Sequence, residues 1–355
     1  MKKVFKWILI IIAIIGVFII ISSLIIYKKN QSFIGEPDAE FVEYLNQNKK
    51  ILDSKAYLQK DLFDKNTYKS DIILLGENHG YAVTQKIDKN ILIHLNKKIG
   101  LRNYIAEIDS IRAELLNNFL NKKEKDSILL KKIILAININ IPQQSSRELF
   151  DKWSEIYDYN QKLPDSLKLK ILGVDKTFGK KTPISRDSAM IMNFKKFIKK
   201  KKIENEQFYG YFGLFHVSQE TIKNNTKSFA ERLKSNNFKV KSIVCLNIDS
   251  EVYLPKNEKI PTTKSEKISF LNMDGPIVLV KGINDLKKAS TKENITLFNL
   301  NKKNSPYFNS KKLITMKTNF INQNWSPEKD NLKTTDFFQY AILIRNSKAN
   351  TPINE

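Results

Sequence analysis

The alternation of apolar and polar positions divides the chain into a membrane-like leader and a long strand–helix pattern. From Trp7 to Tyr27 every residue is uncharged, and most are Ile, Leu, Val or Phe. Roughly 20 such residues, at 1.5 Å rise each, cover a hydrocarbon core of about 30 Å. A secretory signal peptide has a shorter apolar core and a small-residue cleavage site. No A-x-A pattern follows this run, and no cysteine offers a lipoprotein site. Residues 1–29 therefore read as an uncleaved signal anchor, a single transmembrane helix. Lys2, Lys3 and Lys6 precede the run, and Lys28 and Lys29 follow it. The front lysines favour an N-terminus inside, with the bulk of the chain extracytoplasmic.

Asn30 to Asp38 reads as a polar spacer, and 39–355 as one folded domain. "AEFVEYLNQNKKIL" sets Phe41, Leu45 and Ile51 at helical spacing. From Asp71 onward, apolar runs of strand length alternate with longer helical patterns. "IILL" precedes a helix from about Tyr81 to Lys98, and "NYIA" precedes helical material from about Ser110 to Ile134. "SRELFDKWSEIYDYN" is a further helix, followed by the strand "LKILGV". Thr182 and Pro183 stand in cap and first-turn positions for a helix running to about Lys200. "FYGYFGLF", a helix near Phe229 to Leu233, and "VKSIVCLNI" continue the series. This alternation predicts an α/β fold, a mainly parallel sheet flanked by helices. "GPIVLVK" and "QYAILIRN" read as late strands, and Ser305 to Lys333 as aromatic-containing loop or short helix. The last hundred residues are expected to belong to the same domain and to wall the site.

Candidate chemistry collects where the apolar runs stop. "IILLG" ends in Glu77 and His79, "NYIA" in Glu107 with Asp109 two positions on, "LKILGV" in Asp175, and "YFGLF" in His216. Functional groups in open parallel sheets gather at the carboxyl ends of strands. Two of only three histidines stand at such ends. The third, His94, lies mid-helix in a stripe with Ile87, Ile91 and Lys98, the pattern of a packed structural histidine. Arg186 and Asp187 open a helix in which Arg186, Met190 and Asn193 share a face, so the guanidinium can aim at the rim. An arginine there suits an oxyanion or a carboxylate.

Imidazoles and carboxylates in this mixture fit two chemistries. In one, a neutral histidine deprotonates water, a glutamate holds its tautomer, and the second histidine donates to an oxyanion or leaving group. In the other, His79, His216, Glu77 and Glu107 hold a divalent metal or a haem. No G-x-S-x-G elbow and no H-E-x-x-H occurs, which argues against a serine hydrolase and a zincin.

Composition adds bounds. A chain of 355 residues can bury a substantial core. Lys and Arg outnumber Asp and Glu by 60 to 37, a net charge of +23. The lysines are spread along the chain without interleaved Arg and aromatic residues, which argues against nucleic acid as a partner. Solvated faces beside a membrane account for them. Cys245 is the single cysteine and sits in an apolar run, so it reads as a small core residue.

In this order, "LLGENHG", "YIAEID", "LFDKWSEIYDYN", "LKILGVD", "ISRDSAMIMN" and "YFGLFHVS" resemble the erythromycin-esterase-like family. The closing "FFQYAILIRNSKANTP" resembles that family's C-terminal strand. The resemblance spans about Asp71 to Pro352, and a wider similarity joins TraB-type, Tiki-type and ChaN-like proteins. It implies an α/β fold and hydrolysis of an ester or lactone by an attacking water. It implies His79 as general base, Glu77 and Glu107 as orienting carboxylates, and His216 as a further site residue. Arg186 and Asp187 match the family's helix start, and Trp153 with Asn160 its W…YN helix. Asp175, Asp187 and Trp153 are the candidate contacts for a small-molecule substrate. The sequence thus predicts a membrane-anchored hydrolase, with a metal- or haem-binding protein as the alternative.

Overall fold

The computed structural model describes residues 2–52, 61–180, 182–256, 262–319 and 324–353. Residues 320–323 of the expected Ser305–Lys333 segment lie outside the described residues. The first helices are α1 (Lys2–Ile34), α2 (Ala39–Gln47), α3 (Lys65–Tyr68), α4 (Ala82–Ile99), α5 (Ser110–Asn121) and α6 (Ser127–Ile137). They are followed by α7 (Arg147–Asn160), α8 (Arg186–Lys201), α9 (Phe229–Ser235), α10 (Ile283–Ala289) and α11 (Thr334–Phe337). The strands are β1 (Lys49–Ile51), β2 (Ile72–Glu77), β3 (Asn103–Ala106), β4 (Lys170–Gly173), β5 (Phe208–Gly213) and β6 (Val240–Ile248). Short strands β7 (Val252–Tyr253), β8 (Lys267–Ile268) and β9 (Val278–Val280) precede β10 (Thr296–Asn299), β11 (Met316–Thr318) and β12 (Tyr340–Arg345).

Eight strands form one sheet in the order β1-β10-β12-β6-β2-β5-β3-β4. From β12 to β4 every neighbouring pair is parallel, while β10 runs antiparallel to both β12 and β1. The fold is α/β, with helices flanking a mixed, mostly parallel sheet. Strand β2 explains the layering. Ile72 and Leu74 enter one core cluster with residues of α8 and α9, whereas Ile73 and Leu75 enter another with α4, α5, α6 and α7. A strand covered on both faces must be apolar at every position, which is why "IILL" shows no alternation.

Local signals locate most helix starts. Asp109 caps α5 through Arg112 N at 3.0 Å, and Asp126 caps α6 through Leu129 N at 2.8 Å. The helical material expected from about Ser110 to Ile134 is thus two helices. Ser185 Oγ accepts from Ser188 N at 3.2 Å, so α8 begins at Arg186 and not at Thr182 and Pro183. β9 pairs with β11 in a separate two-stranded ribbon, not in the main sheet. The N-terminal helix is long and apolar enough to cross a membrane, which by length and composition fits either a transmembrane helix or a signal sequence. It continues to Ile34, so the first residues of the expected spacer are helical.

Candidate active site

Parallel register brings four strand ends together. Glu77 on β2 faces Gly213 on β5, and Ala106 on β3 faces both Tyr211 on β5 and Gly173 on β4. Residues just past these positions, namely His79, Glu107, Asp175 and His216, therefore emerge on one rim. His216 sits on the 3₁₀ turn Leu214–Val217, which lies against β2. A Cβ on Gly76 would stand 2.1 Å from Val217 Cγ2, so only glycine lets the turn approach so closely.

At the end of β2, His79 Nδ1 lies 2.5 Å from Glu77 Oε1. A carboxylate only accepts, so Nδ1 carries the proton and Nε2 is left for chemistry. Gln144 Nε2, from the 3₁₀ turn Pro142–Gln144, donates to Glu77 Oε1 at 3.3 Å and lies 3.0 Å from His79 Nδ1. Across the rim, Glu107 Oε2 accepts from Gly213 N at 2.5 Å. Its Oε1 lies 2.9 Å from Arg186 Nη2, 3.6 Å from His216 Nε2 and 3.9 Å from His79 Nε2. Both imidazoles thus meet at one carboxylate. A Cβ on Gly213 would come within 3.1 Å of His79 Nε2, so this glycine keeps that nitrogen's surroundings open.

The first turn of α8 completes the cluster. Arg186 Nε donates to Asp175 Oδ1 and Oδ2 at 3.0 and 2.9 Å, and Nη2 also binds Asp175. Asn193 Nδ2 donates to the carbonyls of Val174 and Asp175 at 2.9 and 3.1 Å, so the shared helix face does aim at the rim. Asp187 Oδ1 accepts from His216 Nδ1 and from Phe229 N, each at 2.7 Å.

Charge explains the protonation preferences. Burial alone pushes His79 down, but Glu77 and Glu107 outweigh it and hold the ring above the ordinary imidazole value. His216 behaves alike: burial opposes, while Glu107 and Asp187 prevail. Burial pushes Glu107 up, yet His216, Arg186 and His79 hold it below the usual carboxylate value.

Other residues singled out in the sequence have different places. Trp153 is buried in the core, its ring edge-on to Tyr104 with centroids 5.6 Å apart, and it does not line the open cavity. A helix face directed inward places it instead beside a small internal hollow lined also by Glu107 and Gln144. Asn160 Oδ1 accepts from Leu169 N at 2.8 Å, a structural bond. Asp175 is 2% exposed and spends both oxygens on Arg186, so it positions the guanidinium. His94 is buried, its Nε2 2.7 Å from Tyr68 Oη. Gln144 had no warning in "NIPQQSS" beyond a proline that marks a turn. A second charged cluster was equally hidden. Lys152 Nζ pairs with Asp88 and donates to Tyr104 Oη at 2.9 Å, and Tyr104 Oη donates to Asp88 Oδ2 at 2.8 Å.

A cavity of about 900 Å³ opens over the rim, with Asn78, His79 and Asp187 among its lining residues. Tyr81, Phe215, Tyr253 and Trp325 give it aromatic walls, and Val278, Met316 and Thr318 come from the late segment expected to wall the site. The same donors do not fit a metal ion. Carboxylates on both Nδ1 atoms leave both Nε2 atoms available, but Arg186 already brings positive charge 2.9 Å from the carboxylate that those two nitrogens share, and a cation there would meet that charge. Among the described residues no group of three or more His, Cys, Asp and Glu is arranged to hold one.

No family profile and no curated protein matches the chain in sequence. Solved structures match its fold. A protein from Bacillus cereus superposes with TM-score 0.58 at 11% identity, covering 90% of this chain and 100% of that one. A succinoglycan biosynthesis protein gives TM-score 0.58 at 13% identity, covering 91% and 100%. An erythromycin esterase with a histidine replaced by asparagine, in its open conformation, gives 0.58 at 9% identity, covering 84% and 98%. At such identities the likeness is one of fold: the chain has the α/β architecture of these proteins.

Proposed function

We propose that the protein is a membrane-anchored hydrolase of an ester or lactone. The observation that carries this reading is the Glu77–His79 pair at a strand end, beside a cavity that His79 lines. Water bound at His79 Nε2 attacks the substrate carbonyl carbon while Nε2 takes its proton. Glu77 stabilises the imidazolium through Nδ1. Arg186 and a protonated His216 face the negative charge that develops on the carbonyl oxygen. The carbon–oxygen bond then breaks, and His79 returns its proton to the leaving alkoxide.

The test is turnover of a panel of p-nitrophenyl esters and lactones by the full chain and by His79→Asn. The substitution lowers turnover by about 10²–10⁴ with the circular dichroism unchanged, whereas unaltered rates defeat the assignment. The metal- or haem-binding alternative uses the same donors, and the position of Arg186 weighs against it. Elemental analysis and an absorption spectrum of protein purified without chelator separate the two readings.

A further inference from the structure

The membrane helix does not stop where its apolar stretch stops. Lys28 and Lys29 follow Tyr27, and α1 runs on to Ile34. That last turn is built into the domain: Ile34 is 1% exposed and belongs to the same core cluster as α8 and α9. Asn319 Nδ2 donates to Asn30 Oδ1 at 3.1 Å, Gly282 N to Ile34 O at 2.8 Å, and Asn284 Nδ2 to Gly35 O at 2.9 Å. Asp38 N donates to Asp285 Oδ1 at 2.7 Å, and Lys312 Nζ to Asp285 Oδ2 at 2.8 Å. Anchor and domain are joined by a packed joint, not a loose tether.

The ribbon that receives the helix is also a wall of the cavity. Val278 from β9 and Met316 and Thr318 from β11 line it, and Asn319, the next residue, bonds to the helix. At 1.5 Å rise per residue, Asn30 stands only about 4.5 Å beyond Tyr27, the last apolar residue of the span. The cavity wall therefore begins within one helical turn of the bilayer surface. Its aromatic lining reaches solvent at Phe215, which is 56% exposed and stacks on Trp325 with centroids 4.6 Å apart. Trp325 beneath it is buried, so a single exposed aromatic ring backed by the core stands where aromatic side chains suit the headgroup boundary. Lys28, Lys29, Lys281 and Lys317 flank the joint in sequence and favour an anionic surface.

From this juxtaposition we infer that the substrate is an amphiphilic ester resident in the bilayer, which enters the cavity along the β9–β11 wall without leaving the membrane surface. The inference rests on the hydrolase reading and on α1 remaining in the membrane. It names the class of substrate: a lipid whose ester lies near its headgroup and whose acyl chain meets Phe215 and Trp325.

Two experiments on the full chain in phosphatidylglycerol–phosphatidylcholine vesicles test it. In the first, a diacylglycerol with a diazirine on one acyl chain is photolysed with the His79→Asn chain. Adducts on peptides carrying Phe215, Val278, Met316 or Trp325, displaced by unlabelled diacylglycerol, are the expected result. Adducts confined to α1 overturn the inference. This readout needs no turnover, so it decides the lipid route even if the hydrolase reading fails. In the second, about 12 Gly and Ser residues inserted between Lys29 and Asn30 free the domain from its fixed height while leaving the joint intact. Hydrolysis of soluble p-nitrophenyl butyrate then stays within about twofold, and hydrolysis of the vesicle-borne ester falls by about tenfold or more as its effective concentration drops. Equal retention or equal loss of both activities overturns the membrane route. Absence of both from the native chain sinks the hydrolase reading, and the photolabelling alone then decides.

Discussion

Two of the buried charge clusters differ in what they leave free, and the contrast separates a cluster open to a cavity from a sealed one. Lys152 and Asp88 have side chains only 2% and 0% exposed. Rings of Tyr104, Trp153 and Tyr211 stand about the ammonium at 5.0, 4.9 and 4.9 Å. At the rim, Arg186, His79 and His216 keep 34%, 21% and 13% of their side chains exposed. Both clusters set a cation among carboxylates and hydrogen bonds, as buried charge requires. The difference is what remains free. In the sealed cluster the ammonium is spent on Asp88 and Tyr104, whereas at the rim an imidazole nitrogen is left beside a cavity. Buried charge alone marks no site; a titratable atom with room for a reactant does.

Four substitutions sharpen this contrast, the largest effect first. His79→Asn or His79→Ala lowers kcat/KM by about 10²–10⁴, the usual worth of a general base, with thermal unfolding nearly unchanged. Lys152→Met does the reverse. Breaking a buried pair strands Asp88 and costs about 3–5 kcal/mol of stability by denaturant titration, while turnover per folded molecule holds. Loss of turnover without loss of stability would move Lys152 into the chemistry. Asp175→Asn weakens charge-assisted bonds to Arg186 worth about 1.5–3 kcal/mol, and kcat falls more than KM rises if the guanidinium serves the transition state. The smallest effect is a shift along the pH axis. His79 acts as a base only when deprotonated, and it is held above the ordinary imidazole value of about 6.5, so activity rises with pH through a limb lying above that value. Glu77→Gln removes a raising charge, and the limb moves to lower pH. A limb that stays in place would assign it to another group.

The same sign governs stability. Protonated His79 and His216 favour the folded state below the ordinary imidazole range, and that contribution is lost as pH rises through their raised values. The melting temperature therefore declines across that window, unlike that of a Glu77→Gln chain, in which the decline begins at lower pH.

Much of the rim was legible because β2, β3, β4 and β5 are buried on both faces. Their apolar runs end where the polypeptide emerges, so Glu77, His79, Glu107, Asp175 and His216 stand out by position. Arg186 was legible from its helix face. Its partner Asp175 was read as a substrate contact, because sequence order does not say which carboxylate a guanidinium meets. Nothing in the sequence set Lys152 apart, and only the packing of α7 against α4 brings it to Asp88. The burial of Trp153 against Tyr104 was hidden for the same reason: the identity of a side chain on a helix does not tell which layer its face will meet. The placement of β10 antiparallel between β1 and β12 depends on a pairing with β1 more than two hundred residues away in sequence, beyond any local pattern.

The contact of Gly76 with Val217 has a consequence for how such a protein diversifies. A methyl group on Gly76 would collide with the Val217 side chain and crowd the Leu214 backbone, so the strand bearing His79 and the turn bearing His216 are held at close approach. The late segment bearing Val278, Met316 and Trp325 is under no such constraint from the reacting groups. On the hydrolase reading proposed above, new substrates can be accommodated by rewriting the walls while the floor stays as it is, and chemistry and choice of substrate can drift apart over generations.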